Sequence, residues 1–436
     1  MSTSERQAAS WRNWAGNESA RPSRVATPRS PDEVADEVRK AGADGLRVRM
    51  AGTGHSFTPA AVTDGVLLRP DGLTGIRSVD AAAGLATVEA GCPLHVLNVA
   101  LLSQGLTLAN MGDIQVQTVA GAIQTGTHGT GRDLGGMAAQ VAGLELVLAD
   151  GTITTCSAPS RLFDAARVGL GALGILTAVT FRVVPAFLLE AREEPMRWPE
   201  VISRLDELTS ANEHFEFYWF PHTEGCLTKR NNRSPGPPRP LGRLRYLLDD
   251  EFLSNTVFGI TCRLGHAAPA LIKTVNGAAG KALGSRSYVD VPYKVFTSPR
   301  RVRFKEQEYA IPRESLADVL AEVRALFARR DRRISFPIEV RVTPGDDPWL
   351  STAYGRSSAY IAIHVFHASA HEEYFRDVEA VMTAADGRPH WGKMHTRSAD
   401  YLGRAYPRFS DFVELRNELD PERRFGNAYL TQVLGS

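Results

Sequence analysis

Residues 112–131 (GDIQVQTVAGAIQTGTHGTG) hold five glycines and four threonines, and neither lysine nor arginine. No other stretch restricts the fold as much. Bare backbone beside hydroxyl groups suits hydrogen bonding to a large, polar, planar ligand. The alternative is a twisted, loop-rich β segment with no ligand. Apolar residues flank this concentration of small polar ones, which favours the ligand-binding reading.

Two further glycine segments bear on the same question. In the loop 51–57 (AGTGHSF), two glycines let successive N–H groups turn toward one point. That makes an anion-binding nest suited to a pyrophosphate, and a histidine and a serine follow directly. As a dinucleotide fingerprint the loop fails, because the third glycine is absent. Residues 169–174 (GLGALG) do match GxGxxG. An apolar strand follows them, where that fingerprint needs a helix N-terminus. A Rossmann unit is therefore not expected; the match reads as backbone approaching a ligand or a neighbouring strand.

The second half of the chain contains two alternating segments, 336–343 (FPIEVRVT) and 358–366 (SAYIAIHVF). Period two puts Glu339 and Arg341 on one face and Ile338, Val340 and Val342 on the other. In the next segment Tyr360, Ala362, His364 and Phe366 share a face. If the strands pair, Glu339, Arg341 and His364 cluster opposite an aliphatic core. The bland reading is a solvated surface ion pair, but the aromatic residues beside His364 argue that the face is covered. His364 and His367 diverge on a strand, so no metal site is expected. Residues 390–395 (HWGKMH) gather two histidines, a lysine and a tryptophan around one glycine.

The frame around these motifs is a mixture of short elements. Residues 31–41, 93–104 and 314–329 read as helices. Residues 46–50, 85–90, 175–184 and 215–220 read as strands, and 144–155 as a hairpin about Asp150-Gly151. The Pro/Gly/Arg-rich stretch 230–245 reads as an exposed loop, and 409–434 as helical and then extended. The predicted class is α+β. A chain of 436 residues has room for roughly two or three domains. With 50 Lys+Arg against 49 Asp+Glu, no bulk attraction to nucleic acid or membrane is expected. The four cysteines are scattered, with no CxxC pair, and read as reduced thiols. Residues 1–7 lack the apolar core of a signal peptide. Residues 90–112 lack charge but hold Pro93, His95, Asn98, Gln104 and Asn110, so no spanning helix is expected. A cytoplasmic protein without stable membrane insertion is the expectation.

Taken in order, GTGHSF (52–57), TVAGAIQTGTHGTG (118–131), GALGILTAVTFRVVP (171–185), IEVR (338–341), HWGK (390–393) and LDPERRFGNAYL (419–430) resemble one family over nearly the whole chain. The chain resembles the FAD-linked aldonolactone oxidases, of the L-gulonolactone and D-arabinono-1,4-lactone type, and the related alditol oxidases of the vanillyl-alcohol-oxidase superfamily. The resemblance implies an FAD-binding domain over 1–185, a cap with an antiparallel sheet over 186–395, and a segment 396–436 that returns to the first domain. It implies FAD carried covalently on His55, with Gly52, Thr53, Gly54 and Ser56 at the pyrophosphate. Thr118, Gly121, Gly126, Thr127, His128 and Gly129 would line the flavin, and Ile175 would touch it through its backbone. Glu339, Arg341, His364 and Lys393 would stand over the flavin. Arg341 and Lys393 would stabilise developing negative charge, and Glu339 or His364 would take the substrate proton. Gly112 corresponds to the small residue that admits O2, which implies an oxidase releasing H2O2. Asp113 is a departure, since several relatives carry serine there. The implied substrate is a sugar lactone or a polyol. The rival readings are a dehydrogenase feeding a cytochrome or quinone, an oxidase of a specialised natural product, and a non-catalytic flavoprotein.

Overall fold

The computed structural model describes residues 10–281, 284–330 and 332–436. The N-terminal heptapeptide considered above lies outside the described residues. Three short strands, β1 (Arg24–Ala26), β2 (Val48–Met50) and β3 (Val66–Leu68), form a parallel sheet with β3 in the middle. Helix α1 (Pro31–Ala43) covers it. Its start is set by Ser30, whose side chain accepts from the Glu33 N–H, with Pro31 in the first turn. Its buried Val34 and Val38 pack with Val48, Val66 and Leu68. A second, antiparallel sheet comprises β4 (Ile76–Asp80), β5 (Leu85–Glu89), β6 (Val141–Val147), β7 (Ile153–Ser157) and β8 (Ile175–Arg182), in the order β7-β6-β8-β5-β4. The β6–β7 hairpin turns at Asp150-Gly151 as its sequence requires. Between β5 and β6 run α2 (Leu94–Ser103) and the short α3 (Val119–Gln124), which Thr118 caps.

The middle of the chain builds one eight-stranded antiparallel sheet. Its strands are β9 (Leu188–Arg197), β10 (His214–Trp219), β11 (Gly225–Ser234), β12 (Arg286–Asp290), β13 (Phe304–Pro312), β14 (Ile338–Thr343), β15 (Ser358–Phe366) and β16 (Arg388–Pro389). The order is β12-β9-β11-β10-β14-β15-β13-β16. One face carries Phe215, Phe217, Val340, Ile361 and Ile363 and packs on α4 (Leu316–Arg329) and α5 (Glu372–Ala384). The opposite face is polar yet buried, turned toward the N-terminal unit.

The two units are sewn together. Gly131 N–H donates to the Val342 carbonyl at 2.9 Å, and Arg132 N–H to the Glu213 carbonyl at 2.9 Å. Thr130 Oγ1 donates to the Phe215 carbonyl at 2.6 Å. Phe57 N–H donates to the Gly392 carbonyl at 2.8 Å. After residue 396 the chain returns as α-helices Ala399–Ala405, Phe409–Leu419 and Ala428–Leu434. Their Leu402, Tyr406, Phe412 and Val433 join Leu94, Leu97 and Phe163 in the N-terminal core.

Two local expectations are corrected. The chain end is helical rather than extended, because Asn427 caps its last helix by accepting from Leu430 N–H at 2.8 Å. The stretch 230–245 is not all loop. It starts inside β11, paired with β9 through Ser234, and ends in helix Arg243–Tyr246. The four cysteines are free thiols; Cys92, Cys226 and Cys262 are buried and Cys156 is half-buried.

Candidate active site

A cleft runs between the N-terminal unit and the polar face of the large sheet, enclosing about 1640 Å³ of unfilled space, part of it open to solvent. Gly52, Thr53, Gly54, His55 and Ser56 line it, with Asp113, Thr118, Gly121, Thr127, His128 and Ile175. Glu339, Arg341, His364 and Lys393 line it from the other side. Gly112, Gly126 and Gly129 stand behind this lining. Gly126 terminates α3, donating its N–H to Ile123 at 3.1 Å. A Cβ on Gly129 would sit 2.1 Å from the Met111 carbonyl, and one on Gly112 would sit 2.9 Å from Thr127 Cγ2. The three glycines let adjacent loops close on one another.

The N-terminal wall fits an extended, anionic, hydrogen-bonding cofactor. Among the described residues, the backbone N–H groups of 52–56 donate to no protein acceptor. Five unpaired donors in a row, beside a glycine whose Cβ would meet Thr118 Oγ1 at 2.4 Å, form a cradle for phosphate oxygens. Deeper in, Gln117 Oε1 is buried without a partner, while its Nε2 donates to Thr127 at 3.1 Å. A buried acceptor left open asks for a ligand donor. His55 stacks on Trp14 with ring centroids 5.4 Å apart. Burial and then the Lys393 charge push its pKa down to about 4, so the imidazole is neutral and nucleophilic at ordinary pH.

The opposite wall is set by strand register. Glu216 lies across from Arg341, and Tyr218 from Glu339. Arg341 lies across from Tyr360, Glu339 from Ala362, and Glu306 from His364. Every second residue of β10, β14, β15 and β13 therefore points into the cleft side. Arg341 Nε donates to Glu216 at 2.8 Å, and Arg341 also pairs with Glu339. The Tyr218 hydroxyl donates to Glu339 at 2.7 Å. Asp113 reaches in from the loop before α3, paired with Arg300 and lying 3.5 Å from Arg341. Lys393 Nζ is held at 2.5 Å by Glu306, with Glu308 at 3.8 Å. His128 Nε2 faces Glu308 at 3.3 Å, and His364 Nε2 faces Glu306 at 3.4 Å.

Charge balance follows from that packing. Burial opposes ionisation of Asp113, yet Arg300, Arg341 and Lys393 hold its carboxyl far below the usual range. Burial likewise opposes Glu306, but Lys393 and His364 bring it down to about 2. Glu339 goes the other way: burial pushes it up, and the neighbouring Arg341 offsets only part of this against Asp113 and Glu216. Burial lowers Lys393, but Glu306 and Glu308 more than restore it. The groups His128–Glu308–His390 and Glu306–Glu339–His364 each bring potential ligand atoms within 4.8 Å of one another. The cation that Glu306 and Glu308 share is the lysine ammonium.

Strand parity put Glu339, Arg341 and His364 on one face, the family resemblance added Lys393, and all four line the cleft. Sequence reasoning missed Glu216, Tyr218, Arg300, Glu306 and Glu308. The alternation in 214–219 (HFEFYW) was the available signal for the first two.

Comparison with known proteins agrees with this layout. Residues 22–157 match an FAD binding domain, and residues 179–433 match the family described as D-arabinono-1,4-lactone oxidase. The chain is 41% identical to an L-gulono-1,4-lactone dehydrogenase of Mycobacterium tuberculosis over 98% of this chain and 99% of that protein. It is 33% identical to an L-gulonolactone oxidase of Bos taurus, over 97% and 98%. A solved structure of a solvent-stable cholesterol oxidase superimposes with a TM-score of 0.84 at 19% identity, over 98% and 97% of the two chains, a likeness of fold. An FAD-binding domain under a charged sheet, with such full-length relatives, means that this chain belongs to the D-arabinono-1,4-lactone oxidase family.

Proposed function

We propose that the protein is an FAD-dependent oxidase that converts an alcohol group of an aldonolactone, of the D-arabinono-1,4-lactone or L-gulono-1,4-lactone type, to a carbonyl, with O2 reduced to H2O2. The observation that carries the reading is the gathering of Glu339, Arg341 and Lys393 across one cleft from the His55 loop. When bound, FAD supplies the acceptor for the hydride leaving the substrate carbon. The residues 52–56 would hold its phosphates, Thr118, Gly121, Thr127 and Gln117 would bind its polar edge, and neutral His55 would carry the covalent link. Glu339 is the base: burial raises its proton affinity, and it lies on the cleft wall. His364 is less suited, since its Nε2 faces Glu306 and its Nδ1 faces the Pro337 carbonyl at 3.4 Å. Arg341 and Lys393 stabilise the substrate oxygen as its proton leaves. The pairing of Asp113 with Arg300 sets the polar end that recognises sugar hydroxyls.

A second reading, a dehydrogenase with another electron acceptor, is favoured by the name of the Mycobacterium tuberculosis relative. Gly112 supports the oxidase through the family resemblance alone, since in the fold it stands behind the cleft lining against Thr127. Incubating the holoenzyme with aldonolactones and alditols and measuring H2O2 tests both. Lactone-dependent H2O2 is expected. Rapid cofactor bleaching by lactone that persists in aerated buffer would leave the dehydrogenase. Flavin released completely on denaturation would refute the His55 link.

A further inference from the structure

The cleft lining carries four strongly basic side chains, Arg49, Arg300, Arg341 and Lys393, and four carboxylates, Asp113, Glu306, Glu308 and Glu339. Every one of these cations is already matched. Arg49 is spent on the carbonyls of Ala60, Leu170, Gly171 and Phe425. Arg341 holds Glu216 and Glu339, and Lys393 holds Glu306 with Glu308 behind it. Arg300 holds Asp113. Among the described residues, then, the cleft offers an arriving anion no unmatched lysine or arginine.

The pair of Asp113 and Arg300 is the one most open to the cleft. Their side chains are 25% and 29% exposed, against 8% or less for Arg341, Glu216 and Glu339. Asp113 lies between two guanidinium groups, paired with Arg300 and 3.5 Å from Arg341 Nη2. Two arginines about one carboxylate is how proteins commonly bind a free acid. Here the chain supplies the acid itself. The arrangement is fixed from both sides. The Asp113 carbonyl accepts from Ser298 N–H at 3.1 Å. Asn255 braces the Arg300 segment from outside: its Oδ1 accepts from Arg301 N–H at 2.9 Å, and its Nδ2 donates to the Pro299 carbonyl at 3.2 Å. Arg300 gives Nη2 to Asp113, while its Nε is buried without an acceptor. One donor is thus left for a neutral oxygen, beside a negative charge that cannot swing away.

We propose that Asp113 is a charge filter: by occupying the carboxylate place beside Arg300 and Arg341, it lets the cleft take a neutral lactone and reject the aldonate formed when that lactone hydrolyses. The inference rests on the aldonolactone reading and refines it. A lactone opens in water to its hydroxy acid, so an enzyme that acts on the ring meets both forms. They share most of their hydroxyl groups in the same configuration, and hydroxyl contacts alone separate them poorly. A fixed like charge separates them well, because specificity is a difference of affinities and repulsion enlarges it. Without the Asp113 charge, Arg300 would present both Nε and Nη2 to an incoming carboxylate, a bidentate site.

Sodium L-gulonate, the open acid of L-gulono-1,4-lactone, is the probe, titrated calorimetrically into anaerobic holoenzyme. The wild type should bind it with a Kd about tenfold or more above its KM for the lactone. Asp113→Asn keeps the shape and removes the charge, and gulonate should then bind about tenfold or more tighter than to the wild type. Adding Arg300→Met should take that gain away. A wild-type Kd less than about tenfold above the lactone KM would overturn the proposal, and this comparison decides even if the variant does not fold. Equal gulonate affinity in the wild type and D113N, or a gain that survives the loss of Arg300, would overturn it too. A wild type that oxidises no lactone would instead sink the oxidase reading, and the gulonate titrations of wild type and D113N would still read the filter.

Discussion

Replacing Glu306 by Gln removes the nearer of the two carboxylates that hold Lys393, at 2.5 Å, and leaves Glu308 at 3.8 Å. With an effective dielectric of about 20, the gross attraction is about 7 kcal/mol for the first pair and about 4 kcal/mol for the second. More than half of the compensation for a buried ammonium is therefore lost. Breaking a buried pair from one side costs about 3–5 kcal/mol. Since Glu308 stays, the lower end applies, about 3 kcal/mol. The assay is a double-mutant cycle of E306Q, K393M and the double variant, by urea denaturation of the holoenzyme followed by circular dichroism. The double variant has neither the stranded ammonium nor its nearest counter-ion. It should be less destabilised than the summed single variants, with a coupling of about 2–3 kcal/mol. A coupling below about 0.5 kcal/mol would show that the pair is solvated rather than desolvated, and the argument for a fixed lysine over the cleft would fail.

Three other outcomes are expected. Gly129→Ala forces a Cβ within 2.1 Å of the Met111 carbonyl; overpacking of about 1–3 kcal/mol should weaken FAD retention roughly ten- to hundredfold, seen as flavin lost on gel filtration if the link at His55 is also removed. Tyr218→Phe deletes the hydroxyl that donates to Glu339 at 2.7 Å. The carboxylate form loses a donor, so the acidic limb of kcat/KM should move up by about one pH unit; an unmoved limb would remove Glu339 as the base. Burial brings His390 down to about 3 and His395 to about 4, so both are neutral in the fold and protonate more readily unfolded. Their contribution is present above the unfolded value near ~6.5 and is lost as pH falls from there toward ~4, with a slope of up to about 3 kcal/mol per pH unit in denaturation midpoints converted to free energy.

The sequence was most legible where periodicity and local chemistry agreed. Helix α1 announces itself with Ser30, Pro31 and Val34/Val38, and β15 was bounded at its exact residues because SAYIAIHVF alternates without interruption. The face that β14 and β15 share follows from parity alone, which is why Glu339, Arg341 and His364 could be placed together. Strand β13 stayed hidden because it is polar on both parities: Lys305 and Gln307 alternate with Glu306 and Glu308. Neither face of FKEQEYAIP reads as core, although Tyr309 and Ile311 are in it. Arg300 was out of reach for another reason. It lies in the segment between helix Pro292–Phe296 and β13, brought to Asp113 by a backbone bond from Ser298 N–H to the Asp113 carbonyl at 3.1 Å. Pairing over such a sequence distance has no local signature. The last helix was misread because Asn427 follows glycine, a context that suits a turn as well as a cap.

The bonds joining the His55 loop to the Lys393 loop also bear on how the enzyme turns over. Phe57 N–H and Ser56 Oγ both reach the Gly392 carbonyl, at 2.8 and 3.3 Å, and Thr58 Oγ1 donates to the Trp391 carbonyl at 3.1 Å. At the other end, residues 130–132 are bonded into β10 and β14. Fastened at both ends, the jaw cannot open as a rigid body without breaking these bonds. A rigid-body opening of the cleft would therefore cost about 1 kcal/mol for each of those hydrogen bonds, which favours exchange of lactone and product through the existing mouth.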